Sequence, residues 1–203
     1  MDYFDMIGYW LEEADRGLLL LINGHHAPML DSLMWTVSGR LTWLPLYVLL
    51  AAMLFRREGL GRGLMAAVMI AVMIVAVDQL CASVIRPLVC RLRPSNPDNP
   101  LSALVTVVNG YRGGSYGFPS CHAANTFALA TFFSLVFRNR RITLCLMAWS
   151  LLVGLSRVYL GVHYPGDILG GCVIGAIIAA VCYRAFRPDN LLTANRLSTC
   201  PKI

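Results

Sequence analysis

A chain of 203 residues, 57% apolar and only 14% charged, is one domain's worth of sequence with a mean hydropathy of +0.62, which excludes an ordinary soluble globule. The formal net charge is +6, but the basic residues sit in short clusters between apolar runs, as membrane topology places them, so no nucleic-acid partner is expected. Seven cysteines are scattered, mostly in apolar stretches and with no CxxC pair, which excludes a disulfide scaffold.

In chain order, residues 1–15 are polar and acidic, with neither a basic start nor a small-residue cleavage site, which argues against a removable signal peptide. Residues 1–40 read as an N-terminal interfacial segment. Leu18–Ile22 is apolar but is broken by Asn23, Gly24, His25, His26 and Pro28, and residues 29–37 form a short helix at the interface. A bilayer core of about 30 Å takes about 20 apolar residues. Residues 41–55 make a first span closed by Arg56 and Arg57, and residues 64–85 a second, interrupted only by Asp78 and Gln79. A polar loop follows at 94–119. A third span at 123–137 is closed by Arg138, Arg140 and Arg141, with a fourth at 142–161 and a fifth at 168–186. The expected fold is all-α, a polytopic bundle of five transmembrane helices with six as the alternative. Residues 41–187 form the domain and 188–203 a cytoplasmic tail.

Arg56, Arg57 and Arg62, then Arg138, Arg140 and Arg141, then Arg184 and Arg187 all fall on one side, which the positive-inside bias makes cytoplasmic. The other face collects the end of the second span, the 94–119 loop, the start of the third span and the 157–167 turn. These segments are expected on the outer face of the membrane.

That face carries the chemistry. Arg86 and Arg93 are seven residues apart and share a face if the helix persists past Pro87 to Pro94, and two planar guanidiniums suit a tetrahedral oxyanion. Ser120, after Pro119 and before an apolar run, is an N-cap whose helix offers free amides to an anion. His122 in the first turn is placed to protonate a leaving group. Asp167, four residues after His163, is placed to accept the Nδ1 proton and leave Nε2 as nucleophile or base, with Arg157 adding charge. Singly, each residue has a structural explanation: a snorkelling arginine, an interfacial histidine, a pair that ties a loop. Together on one membrane face they point to phosphate chemistry. Arg91 reads as a snorkelling residue, Asp78 as a partner of the arginine site, and Trp43, Trp149, Tyr159 and Tyr164 as core or interface aromatics. His25 and His26 are adjacent rather than at ligand spacing, so no metal or other cofactor is expected.

The ordered pattern Arg86-x6-Arg93-Pro94, Pro119-Ser120-x-His122 and Ser156-Arg157-x5-His163-x3-Asp167 resembles the three-part signature of the type 2 phosphatidic acid phosphatase family. It covers roughly residues 80–175. The resemblance implies a metal-independent membrane phosphatase working through a phosphohistidine. His163 would be the nucleophile, Asp167 its orienter, His122 the acid, and Arg86, Arg93, Ser120, Cys121 and Arg157 the phosphate holders. Two positions depart: Arg86 stands where the family usually has lysine, and Cys121 where it usually has glycine. A phosphotransferase on the same site and a non-catalytic transporter are the other classes. The partners implied are the bilayer and a lipid phosphate, with undecaprenyl diphosphate ranked first, lipid A phosphate second, and phosphatidylglycerol phosphate a further candidate.

Overall fold

The computed structural model describes residues 3–187, and the expected tail at 188–203 lies outside them. Helices make up the bundle, and among the described residues a β-bridge, Leu92 with Tyr116, ties two loop segments together. Helix α1 (Tyr3–Asn23) is longer than residues 1–40 suggested, because its polar first half joins the apolar Leu18–Ile22 stretch in one amphipathic helix. It exposes Trp10, Leu11, Leu18 and Leu21 and buries Leu19. Asn23 at its end is buried and replaces helix hydrogen bonds: Nδ2 donates to the carbonyls of Thr106 (2.9 Å) and Tyr159 (2.7 Å), and Oδ1 accepts from Thr106 N (2.8 Å). Helix α2 (Pro28–Ser38) starts with proline at its first position, where no amide is missed, and Asp31 accepts from His26 Nδ1 at 2.7 Å.

The next helical stretch, α3 (Leu44–Gln79), would be too long for one membrane crossing, and it is two arms. Gly59 takes φ 75° and ψ 175°, a region essentially reserved for glycine, and reverses the chain there. Tyr47 then lies opposite Ile74, Phe55 lies opposite Ala67, and Gly63 leaves room for the Phe55 ring. These arms are the first and second expected spans.

A π-helical turn, Leu80–Ile85, precedes the short α4 (Arg86–Val89), which ends at Cys90 in the left-handed region (φ 51°). This corrects one expectation. Arg86 and Arg93 do not share a helix face, because the helix stops four residues before Pro94 and Arg93 stands on an extended segment.

Helix α5 (Cys121–Phe137), about 26 Å long at 1.5 Å per residue, is buried nearly all round and forms the centre of the bundle. Helices α6 (Arg140–Tyr159) and α7 (Pro165–Phe186) begin two and three residues before their expected starts. Their first turns are polar: Asn139 Oδ1 accepts from Arg141 N (2.9 Å) and Ile142 N (3.2 Å), and Asp167 caps α7. The tightest packing is α5 against α7. Gly171 and Gly175, one turn apart, bring the α7 backbone against Ser120 and Ala124, where a Cβ would collide. Leu169, Val173, Ile177 and Val181, at four-residue spacing, point outward from α7, and Val68, Val72 and Val75 do so from α3. An apolar belt facing outward over a core of Phe132, Met73, Val77 and Phe186 is the pattern of a helix bundle in lipid.

Candidate active site

One end of the bundle gathers the residues that the sequence singled out. Ser120 is the joint between α5 and α7. Its Oγ accepts from Ala123 N (3.5 Å), capping α5, and its amide donates to the Asp167 carbonyl (3.0 Å). The first amides of α5 therefore open beside the first turn of α7. His122 sits in the first turn of α5 and lines a cavity between the helices.

Arg93 is buried to 5% exposure. Its Nε donates to the Tyr116 carbonyl (3.1 Å), and Nη1 donates to the Val162 carbonyl (3.1 Å) and to His163 Nε2 (3.0 Å). A guanidinium can only donate, so His163 Nε2 carries the lone pair and Nδ1 the proton. That proton points to Asp167 Oδ2 at 3.3 Å. The same oxygen accepts from Tyr164 N (3.0 Å), which holds the carboxylate still. Burial, then the charges of Arg93, Arg157 and Arg86, hold His163 well below the usual imidazole range, so the ring is neutral. Crowding acts on the cations as well: burial, then Arg86 and Arg157, lower Arg93 to about 10.

Arg86 donates from Nη2 to the Pro119 carbonyl (3.1 Å), and Arg157 from Nη1 to Ser38 Oγ. The Nε groups of both are buried without an acceptor. Among the described residues, no carboxylate lies within ion-pair distance of Arg86, Arg93 or Arg157. Arg93 and Arg157 are buried and Arg86 half-buried; three such guanidiniums without a counter-anion are costly for the protein alone, and a tetrahedral dianion is the ligand that would satisfy them. Cys121, at the variant position, packs its thiol beside Cys81 of the π-helical turn Leu80–Ile85 and leaves the α5 amides in place.

Two readings change. Arg91 is no snorkelling residue: Nη1 donates to Asp167 Oδ1 (2.9 Å) and Nη2 to Asp15 Oδ2 (2.6 Å), with its guanidinium 4.0 Å over the Tyr164 ring. Asp15 also accepts from Gly166 N (2.7 Å), so α1 reaches the far side of the His163–Asp167 pair. Asp78 does not pair with Arg86. Its Oδ1 accepts from Asn125 Nδ2 (2.8 Å), because the π-helical turn shifts the phase between positions 78 and 86. Tyr111, in the loop over the site, places its ring 5.5 Å from the Arg157 guanidinium and was not foreseen either. Neither Asp15 nor Tyr111 carries a local pattern that could have flagged it.

The model of the PAP2 superfamily matches residues 67–191. The chain belongs to the PAP2 superfamily. It is 45% identical over 166 residues to the lipid A 4'-phosphatase of Bacteroides thetaiotaomicron, covering 82% of this chain and 74% of that protein. It is also 33% identical over 177 residues to the lipid A 4'-phosphatase of Porphyromonas gingivalis, covering 87% and 75%. In fold it resembles the crystal structure of a transmembrane PAP2-type phosphatidylglycerolphosphate phosphatase from Bacillus subtilis, with a TM-score of 0.66 at 23% identity over 88% of this chain and 87% of that one. The protein is thus a membrane PAP2 phosphatase that hydrolyses lipid phosphate esters.

Proposed function

We propose that this PAP2 phosphatase removes a phosphate from lipid A, at the 4' position named for its relatives, through a phosphohistidine on His163. The observation that carries the phosphate site is the set of three unneutralised guanidiniums, Arg86, Arg93 and Arg157, around the neutral His163. An incoming phosphate takes over the Arg93 N–H and frees the Nε2 lone pair. Nε2 attacks phosphorus, the P–O bond to the lipid breaks, and His122 gives its proton to the departing oxygen. Asp167 holds Nδ1–H throughout and stabilises the positive imidazole of the phosphoenzyme. His122 then takes a proton from water as the water oxygen attacks phosphorus, releasing inorganic phosphate and neutral His163. Arg86, Arg93, Arg157, the Ser120 cap and the amides from Cys121 onward hold the charge that builds on the equatorial oxygens.

Sequence alone ranked undecaprenyl diphosphate above lipid A. The 45% identity over four-fifths of the chain supports the reverse order. The basic end at 56–62 and 138–141 supports an orientation with the site on the outer face of the inner membrane. Impermeant thiol reagents should then label a cysteine placed at Gly114 in spheroplasts and not one at Asn139, and the opposite result overturns that orientation. The substrate reading is tested with purified protein in chelator, offered lipid A carrying a 1- or a 4'-phosphate, undecaprenyl diphosphate and phosphatidylglycerol phosphate. Faster phosphate release from the 4'-phosphate is expected. A preference for undecaprenyl diphosphate overturns it.

A further inference from the structure

Beside the phosphate site lies a cavity of about 260 Å³, and its walls disagree with its surroundings. His122 and Ser38, the acceptor of Arg157, form the edge it shares with the phosphate site. Trp43 and Tyr47 form an aromatic wall, held rigid because Trp43 Nε1 donates to the Val37 carbonyl (2.8 Å) and both rings sit edge-on to Trp149 at 5.7 and 6.2 Å. Across from them, Asp78 and Asn125 bring polar groups into the apolar interior of two spans. Asn125 Nδ2 is committed to Asp78 Oδ1, and a carboxylate partner fixes the amide's orientation. Asn125 therefore fixes the Asp78 carboxylate in the cavity wall, while its own Oδ1 is closed off and without a hydrogen-bond partner.

His122 delivers its proton to the leaving oxygen, so whatever that oxygen is attached to must lie on the His122 side, in this cavity. The walls state what it is. A carboxylate and two aromatic rings lining one cavity suit a ring with hydroxyl or amide N–H groups on its edge and C–H groups on its faces. A glycerol ester or a polyprenol would leave the second Asp78 oxygen with nothing to accept from, and an acceptor desolvated and left unpaired costs affinity. The volume, near the lower edge for small-molecule sites, takes one ring-sized group.

We propose that this cavity is the leaving-group subsite for an amino sugar, and that Asp78, held in place by Asn125, accepts hydrogen bonds from the sugar while Trp43 and Tyr47 pack against it. This rests on the lipid A reading and deepens it by saying which residues select the sugar.

The test compares the full-length protein with Asp78→Asn, Asp78→Leu and Asn125→Leu on two substrates, lipid A 4'-phosphate and dioleoyl phosphatidic acid. The readout is the ratio of the two kcat/KM values. The wild-type ratio tests the lipid A reading by itself, and a value below one overturns that reading. The change in the ratio tests the cavity. Each variant should lower it about 10- to 100-fold, as expected for a lost hydrogen bond to a charged or buried acceptor. Equal losses on both substrates, with the ratio unmoved, overturn the subsite whatever the wild-type preference. Because a variant in the bundle can fail to fold, a second measurement uses the wild-type protein alone. Methyl N-acetylglucosaminide should inhibit phosphatidic acid hydrolysis at concentrations where glycerol does not, and no such inhibition overturns the subsite too.

Discussion

The two ends of the bundle are both rich in arginine, and they treat the charge in opposite ways. At the end away from the site, Glu58 is 6% exposed and ringed by Arg57 (3.5 Å), Arg62 (3.2 Å) and Arg187. Arg57 also donates to the Phe137 carbonyl (2.8 Å), which pins the Gly59 turn to the end of α5. Those cations share a carboxylate within the protein and hold helix ends together. At the other end Arg86, Arg93 and Arg157 are deeper and have backbone carbonyls and a serine hydroxyl as partners instead of a carboxylate. A protein optimising stability alone would not leave them so. The lesson is that burial of charge does not mark a site; burial of charge without its counter-charge does.

The largest expected effect falls on the nucleophile. His163→Ala should lower phosphate release by at least about 10³-fold on every substrate, leaving what charge stabilisation alone supplies. Acid-quenched wild-type protein mixed with ³²P-labelled substrate should carry acid-labile label, and the variant none. Retention of substantial activity by the variant would remove the phosphohistidine from the mechanism.

Next comes a crossed pair that sets one end against the other. Arg93→Ala should cost about 10²–10³-fold in kcat/KM and leave the thermal midpoint unchanged or higher. Glu58→Gln should cost on the order of 1–3 kcal/mol of stability, since it leaves three arginines around a neutral group, and retain most of the activity. The contrast collapses if Arg93→Ala is the unstable variant and Glu58→Gln the inactive one. Arg93→Ala also carries a pH signature. Burial and the arginines lower the His163 pKa, so in the wild-type free enzyme the neutral nucleophile persists below the ordinary histidine range. Removing the Arg93 charge takes away the second of these causes and raises it, while burial still holds it down. The acid limb of kcat/KM should therefore lie at higher pH in the variant than in the wild type. An acid limb that stays put or moves down contradicts the assignment.

What the sequence revealed and what it hid follow from how local each feature is. His163 with Asp167, and Ser120 at the start of α5, were legible because a helix first turn fixes their geometry within four residues. The hairpin of α3 was legible because Arg56, Arg57 and Arg62 interrupt the apolar run around Gly59. The face shared by Arg86 and Arg93 failed because a π-helical turn and a left-handed Cys90 break the periodicity on which the expectation relied. Arg91 was misread for another reason. Its two carboxylate partners lie 76 residues away in either direction, at Asp15 and Asp167, and no spacing rule connects positions that only the fold brings together. Ranking undecaprenyl diphosphate over lipid A rested on motifs shared by the whole family, which describe the phosphate and not the group attached to it.

The smallest and sharpest prediction concerns Arg91, because it sits two residues from Arg93 and obeys the opposite rule. Its guanidinium is fully spoken for: one nitrogen to Asp167, the other to Asp15, the plane over Tyr164. It holds no phosphate, and it makes Asp167 hold still against the His163 Nδ1–H. Lysine keeps the charge but offers one donor centre in place of the fork, so Arg91→Lys cannot serve both carboxylates in the same geometry. The expected result is a fall of about tenfold in kcat with KM nearly unchanged, because substrate still meets Arg86, Arg93 and Arg157 while His163 is less well oriented; a misplaced positioning group costs rate before affinity. Arg91→Ala should fall further and recover in part with added guanidinium, which can occupy the space between the carboxylates. Asp15→Asn should lose less than either, since Arg91 keeps its bond to Asp167. A loss confined to KM would instead make Arg91 a phosphate ligand like its neighbour, and a loss in Arg91→Ala that guanidinium does not restore would reduce its role to holding α1 against the bundle.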